Sequence, residues 1–264
     1  MQNLDPNIDS SKLGACILIY GDTDSGKTVS VLTCEEPILF INTESKDPRV
    51  THQQFKHGKK IYYVVPEGFN DLMENLNRWL EQAKEKKFPN RTIFLDGLTF
   101  TQGGFRKELE DSRYSLRLES DKTTGFGKGL ISQMSLEQKD WGPLGSMMNR
   151  MMFLFNSFSH YGTTCIATAI ATHDTPKWGG GIRTAPGLIG FDFPKFLHGY
   201  FDFIGYIIEP FRFNEERKPV LPRISFHHEE NEESYMARSN SNIVTEKGSA
   251  PLDFTKIMKI VRGE

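Results

Sequence analysis

One octapeptide, Gly21-Asp22-Thr23-Asp24-Ser25-Gly26-Lys27-Thr28, restricts the fold of this chain more than any other stretch. It meets the pattern G-x-x-x-x-G-K-[ST] at every fixed position. An apolar run of strand length, Ala15-Cys16-Ile17-Leu18-Ile19-Tyr20, precedes it, and the residues up to about Thr33 can form a short helix. Strand, glycine-rich loop and helix in that order predict an α/β fold. Gly21 permits a sharp turn out of the strand, and Gly26 lets backbone approach a phosphate with no Cβ in the way. The loop N–H groups and the helix N-terminus then form a concave anion site. Lys27 is expected to reach the β/γ-phosphates of a nucleotide, and the Thr28 hydroxyl to ligate Mg²⁺. Asp22 and Asp24 put acid into this loop, so their side chains are expected to point away from the phosphates.

The apolar runs at residues 37–42, 61–65, 92–96, 163–171 and 201–208 read as further strands. Asn70 can cap a helix with Leu72, Met73, Leu76, Trp79, Leu80 and Ala83 on one side. Pro143 opens another, rich in Met and Phe, over residues 144–160; its Met stripe reads as core or subunit interface. Strands alternating with helices imply a mostly parallel sheet covered on both faces. Residues 45–58 read as polar and irregular. Residues 100–141 read as an insertion or mobile segment with a charged helical stretch at 105–118, and the Gly/Pro-rich residues 174–190 as a mobile loop. Beyond Pro222, short antiparallel strands (223–228, 234–238) flank an acidic turn at 229–233, and an amphipathic helix spans 252–261. The expected division is an N-terminal arm (1–13), a core (14–210) and a C-terminal antiparallel extension (211–264).

Composition narrows the function classes. The 264 residues carry 32 Lys plus Arg against 34 Asp plus Glu, a balance that leaves room only for a local basic patch. No eighteen-residue apolar run is present, which predicts no transmembrane helix and no membrane partner. The first twelve residues are polar and include Pro6, unlike a signal peptide. Cys16, Cys34 and Cys165 are far apart in or near apolar segments and read as reduced core thiols of a cytoplasmic protein.

Three further residues carry chemistry by position. Asp96 ends an apolar strand, where it can hold Mg²⁺ through Thr28 or a water. Glu44 ends the strand after the glycine-rich loop, where a carboxylate can orient or deprotonate an attacking water. His173 follows the fifth strand and can face the phosphate.

The motif order resembles the RecA core. Leu39-Phe40-Ile41-Asn42-Thr43-Glu44-Ser45-Lys46-Asp47-Pro48 is similar to the strand that delivers that family's catalytic glutamate. Val64-Val65-Pro66, Ile93-Phe94-Leu95-Asp96-Gly97-Leu98-Thr99 and Gly142-Pro143-Leu144-Gly145-Ser146-Met147-Met148-Asn149-Arg150 continue the match. Thr172-His173 stands where the family has a polar γ-phosphate sensor, with histidine in place of the usual glutamine. The chain most resembles compact phage-encoded RecA-core ATPases, the Sak-type single-strand annealing proteins, which share a Trp-Gly-Pro-Leu element and a Leu-Asp-Phe-Thr-Lys-Ile helix. The resemblance implies a RecA-like P-loop ATPase with ATP and Mg²⁺, stimulated by single-stranded DNA and acting in recombination or strand annealing. Its second DNA loop falls on residues 174–190, where Lys177 and Arg183 supply charge and Trp178 a stacking platform. A homo-oligomer, Arg238 as a cation reaching a neighbour's site, a single-strand-binding protein as a further partner and the bacterial host cytoplasm complete the expectation. Two alternatives stay open: a P-loop kinase of a nucleotide or small metabolite, and a nucleotide-gated assembly protein that does not hydrolyse.

Overall fold

The computed structural model describes residues 13–53, 58–124, 141–174, 183–189, 193–226, 234–239 and 249–263. Side-chain parity in β1 (Cys16–Gly21) separates two cores. Cys16, Leu18 and Tyr20 enter one apolar layer, and Ala15, Ile17 and Ile19 the other. All of β1 is buried, the setting of a parallel strand covered on both faces. β2 (Ile38–Asn42) and β4 (Thr92–Asp96) repeat the pattern, with Leu39 and Leu95 on the first side and Phe40 and Phe94 on the second. Parallel pairing runs through β7 (Phe203–Glu209), β1, β5 (Thr164–Asp174), β4, β2 and β3 (Ile61–Val64). The fold is therefore α/β with a mostly parallel central sheet.

α2 (Phe69–Lys84), α3 (Leu98–Thr124) and α4 (Trp141–Ser157) cover the first face. Leu72, Leu76 and Leu80 of α2 meet Met148, Met151, Met152 and Phe155 of α4 there, so the Met stripe is core. The second face is covered by a 3-10 turn (Val29–Thr33) and α6 (Phe254–Arg262). α6 starts at Asp253, whose carboxylate accepts the Lys256 N–H at 3.2 Å. It ends on Arg262, which holds Glu35 with two bonds of 2.6 and 2.9 Å. All three cysteines are free and buried. Among the described residues, no helix is long and apolar enough to cross a membrane.

Several segments differ from the sequence expectation. Part of the stretch read as irregular is α1 (Pro48–Gln53). Asp47 accepts the Arg49 N–H at 2.9 Å as its cap, and Pro48 takes the first turn, where its missing N–H costs nothing. α2 begins at Phe69, before Asn70, because Glu108 of α3 accepts the Phe69 N–H at 2.9 Å. The segment read as an insertion or mobile region is helical from Leu98 to Thr124. Phe105 anchors that helix to the core and an Arg106–Glu110 pair at 2.9 Å supports it one turn on. Residues 125–140 lie outside the described part.

The loop expected at 174–190 is shortened from both sides. β5 runs on to Asp174, and β6 (Arg183–Pro186) pairs back on it antiparallel. After β6 come α5 (Phe193–Phe196) and β7. The C-terminal strands extend the central sheet. β10 (Arg223–Ser225) and β12 (Arg238–Ser239) pair antiparallel with β7, and β13 (Ala250–Pro251) with β10. β11 (Ser234–Tyr235) pairs parallel with β6, against the expectation of antiparallel pairing. A two-stranded hairpin, β8 (Arg212–Phe213) and β9 (Pro219–Val220), stands off the sheet. The acidic turn at 229–233 lies outside the described residues.

Candidate functional site

The carboxyl ends of β1, β2, β4 and β5 share one edge of the sheet: Gly21 lies opposite Ile170 and Asn42 opposite Asp96. β5 and β4 separate β1 from β2, so the loops leaving all four strands converge outside that edge, where open parallel sheets form crevices.

The glycine-rich loop has Asp24 at φ 63° and Gly26 at φ 96°. A Cβ on Gly26 would fall 2.5 Å from Phe211 Cβ and 2.9 Å from Pro222 Cγ, so both backbone conformation and close packing require glycine. The Phe211 N–H donates to Ser25 O at 3.0 Å, which seats the base of the β8–β9 hairpin on the loop. The helix expected after the loop is only the single 3-10 turn. Val29, Val31 and Thr33 are β-branched, and the Ser30 and Thr33 hydroxyls bond back to Lys27 O and Ser30 O at 2.5 and 2.8 Å. Such back-bonding competes with an α-helical ladder.

Lys27 lies folded onto its own loop. Its ammonium donates to Gly21 O at 2.9 Å, Asp22 O at 2.6 Å and Ser25 Oγ at 3.3 Å. Burial pushes its pKa down, opposed by the negative charges of Asp96, Glu44, Asp22 and Asp24. Thr28 points across to β4, its hydroxyl donating to Asp96 Oδ2 at 2.7 Å. Thr168 of β5 donates to the other carboxylate oxygen at 2.5 Å. Asp96 is 2 % exposed, and burial raises its pKa against these two bonds and Lys27.

Glu44 is half-buried beside them. A Cβ on Gly97 would lie 3.4 Å from Glu44 Oε1 and 3.2 Å from Thr168 Oγ1, which puts the Glu44 carboxylate next to Asp96. Burial first, and Asp96 second, push its pKa up. The turn that carries it is tied to β4. Thr43 N–H donates to Asp96 O at 2.8 Å, and Thr43 Oγ1 to Gly97 O at 2.9 Å. Asn42 Oδ1 accepts the Glu44 N–H at 3.1 Å.

The structure thus brings Lys27, Thr28, Glu44 and Asp96 together. Four acids around one lysine leave the site net negative, so an anion would enter accompanied by a cation. A hydroxyl and a carboxylate are the hard oxygen donors that Mg²⁺ takes. Among the described residues, no group of three or more His, Cys, Asp or Glu could hold a metal. A cation between Thr28 and Asp96 would therefore draw its other ligands from phosphate and water, as Mg²⁺ sites commonly do.

His173 lies within β5 rather than after it. Its Nε2 is 3.0 Å from Asp22 Oδ1 and its Nδ1 3.0 Å from Thr184 Oγ1 of β6. It meets the Asp22 carboxylate and joins the loop to β6. Lys177 and Trp178 lie outside the described residues, as does the Arg183 side chain; the Arg183 backbone pairs with Asp174 in β6. Arg238 is not brought to the site. Its backbone pairs with Ile204, level with Leu18, and its guanidinium donates to the His198 carbonyl.

Sequence reading missed Thr168, Thr43 and Phe211. Thr168 was visible as the one polar residue in Cys165-Ile166-Ala167-Thr168-Ala169-Ile170, a signal that a buried hydroxyl there needs a partner. Phe211 left no such signal, since its role depends on a contact with Gly26 far back in the chain. Compared with protein-family models and with curated proteins, the chain matches none of them.

Proposed function

We propose that this chain is a RecA-like P-loop ATPase that binds ATP with Mg²⁺ at residues 21–28 and acts on single-stranded DNA as a homo-oligomer. The observation that carries the reading is the 2.7 Å bond from Thr28 to Asp96, which joins the end of the glycine-rich loop to the end of a buried strand 68 residues later. In the proposed reaction Lys27 leaves the loop carbonyls and meets the β/γ-phosphates. Backbone N–H groups around Gly26 hold phosphate oxygens. Thr28 and Asp96 would hold Mg²⁺, which when bound offsets charge on the β- and γ-phosphates. Glu44, its carboxylate made more basic by burial and by Asp96, orients the attacking water and accepts its proton.

The link from His173 to both Asp22 and Thr184 supports coupling to DNA. A phosphate in the loop would act on Asp22, and through His173 on β6, which begins at Arg183 and follows the segment carrying Lys177 and Trp178 in the chain. The proposed setting is phage-type recombination or strand annealing in a bacterial host cytoplasm. Arg238 is kept as the cation offered to a neighbouring copy, and a single-strand-binding protein as a further partner.

Phosphate release measured with and without single-stranded DNA tests the proposal. DNA-stimulated release is expected, and the triple change Lys177→Ala, Trp178→Ala, Arg183→Ala should remove the stimulation and flatten the salt dependence of DNA binding. Phosphoryl transfer to a nucleotide or metabolite would point to the kinase. ATP binding without release would point to a nucleotide-gated assembly protein.

A further inference from the structure

His52 is a buried side chain that the chemistry above leaves unused. It sits on α1 and is 1 % exposed. Its ring stands edge-on to Phe40, with centroids 5.4 Å apart, and lies 5.8 Å from the Tyr63 ring. Nδ1 is 2.7 Å from Tyr63 Oη, and Nε2 is 3.1 Å from Thr28 O. A carbonyl only accepts, so Nε2 carries a proton. Burial pushes the Tyr63 phenol up, so it keeps a proton that it can donate to Nδ1. These contacts at opposite ring nitrogens hold the orientation of the imidazole.

We propose that His52, oriented by Tyr63, is a positioning residue that fixes Thr28 and so the place of the metal on a bound nucleotide; this rests on the ATP reading above. Thr28 is held at two ends, its hydroxyl on Asp96 and its carbonyl on His52. The 3-10 turn offers that carbonyl the Val31 N–H at 3.4 Å, so the shorter imidazole contact is the firmer hold. A long helix would otherwise fix the last residue of such a loop, and here α1 does so from the side. α1 in turn follows the segment that carries Glu44, which Asn42 closes by donating to Lys46 O at 2.9 Å. His52 therefore sets the Thr28 hydroxyl relative to both Asp96 and Glu44.

The test is ATP binding by calorimetry on the full chain, with MgCl₂ and again with EDTA. His52→Phe keeps an aromatic ring against Phe40 and removes both hydrogen bonds. It should lose about 10-fold or more of the Mg²⁺-dependent gain in ATP affinity, the scale seen when a group behind a metal ligand is removed. Its affinity in EDTA should stay near that of wild type. His52→Gln, which retains a donor for Thr28 O, should recover part of the gain, and Tyr63→Phe should lose part of it. Equal losses with and without Mg²⁺, or an unchanged Mg²⁺ gain, would overturn the inference while leaving the ATP reading in place. A wild type that binds no ATP would overturn both. Should His52→Phe fail to fold, Tyr63→Phe decides by the same two titrations.

Discussion

Replacing Lys27 by methionine keeps the aliphatic stem and removes the ammonium. The wild-type group donates to two loop carbonyls and to Ser25 Oγ. Hydrogen bonds from a charged donor contribute about 1.5–3 kcal/mol each, which sets a ceiling of about 3–6 kcal/mol for the two carbonyl bonds. Dehydration of the ammonium cancels much of this, and the depressed pKa of Lys27 is the sign of that cost. A net loss of about 1–2 kcal/mol remains, or about 2–8 °C in Tm for a chain of this size. Thermal unfolding without nucleotide should show this drop with an unchanged circular dichroism spectrum. Nucleotide at about 100 times its Kd should add roughly 2.7 kcal/mol to the wild type and nothing to the variant. A variant at least as stable as wild type without ligand would refute the folded-back lysine. A full nucleotide shift in the variant would refute its role on phosphate.

Glu44→Gln should bind ATP as well as wild type or better, since a negative charge near the γ-phosphate is gone, while turnover falls by about two or more orders of magnitude. Near-normal turnover at normal affinity removes Glu44 from the mechanism. Gly26→Ala forces a Cβ into Phe211 and Pro222 at a left-handed φ, and should cost about 1–3 kcal/mol in urea unfolding; an unshifted midpoint contradicts that packing. Glu44 and Asp96 both have raised pKa values in the folded chain, so between the ordinary carboxylate range and those raised values the native state binds more protons than the unfolded one. Stability should therefore fall as pH rises through that window, and Glu44→Gln should make the fall shallower. A slope identical in the two proteins would exclude Glu44 as a contributor.

The parts of this site that a strand pattern can reveal were legible. Glu44 and Asp96 end apolar runs, and chain direction in a parallel sheet then puts both on the edge reached by the glycine-rich loop. Segments governed by local capping or distant contacts were harder to read. Asp47-Pro48 is a helix start that a polar surrounding sequence concealed, and His52 went unread with it. Asn70 has the chemistry of a cap, yet the first free N–H of α2 is taken by Glu108 from another helix. β6 carries Pro186 and lies in a Gly/Pro-rich stretch, and its partners are the extension of β5 to Asp174 and the distant β11. The C-terminal strands were read as short and antiparallel, but which strands they would join depends on β7 and β6, and no periodicity encodes that choice.

The β8–β9 hairpin leaves and rejoins the molecule at one spot, because Phe211 and Pro222 both rest on Gly26. Its far end closes on itself, with the Asn214 N–H on Lys218 O at 3.0 Å and the Arg217 N–H on Asn214 O at 2.9 Å. With the stems clamped, added length at the tip does not move them, and each doubling of a loop costs only about 0.6 kcal/mol. The bond between Glu215 and Glu216 is thus a natural insertion point for a tag or an environment-sensitive dye. A label there would sit on a hairpin joined to the glycine-rich loop through two side chains and one backbone hydrogen bond.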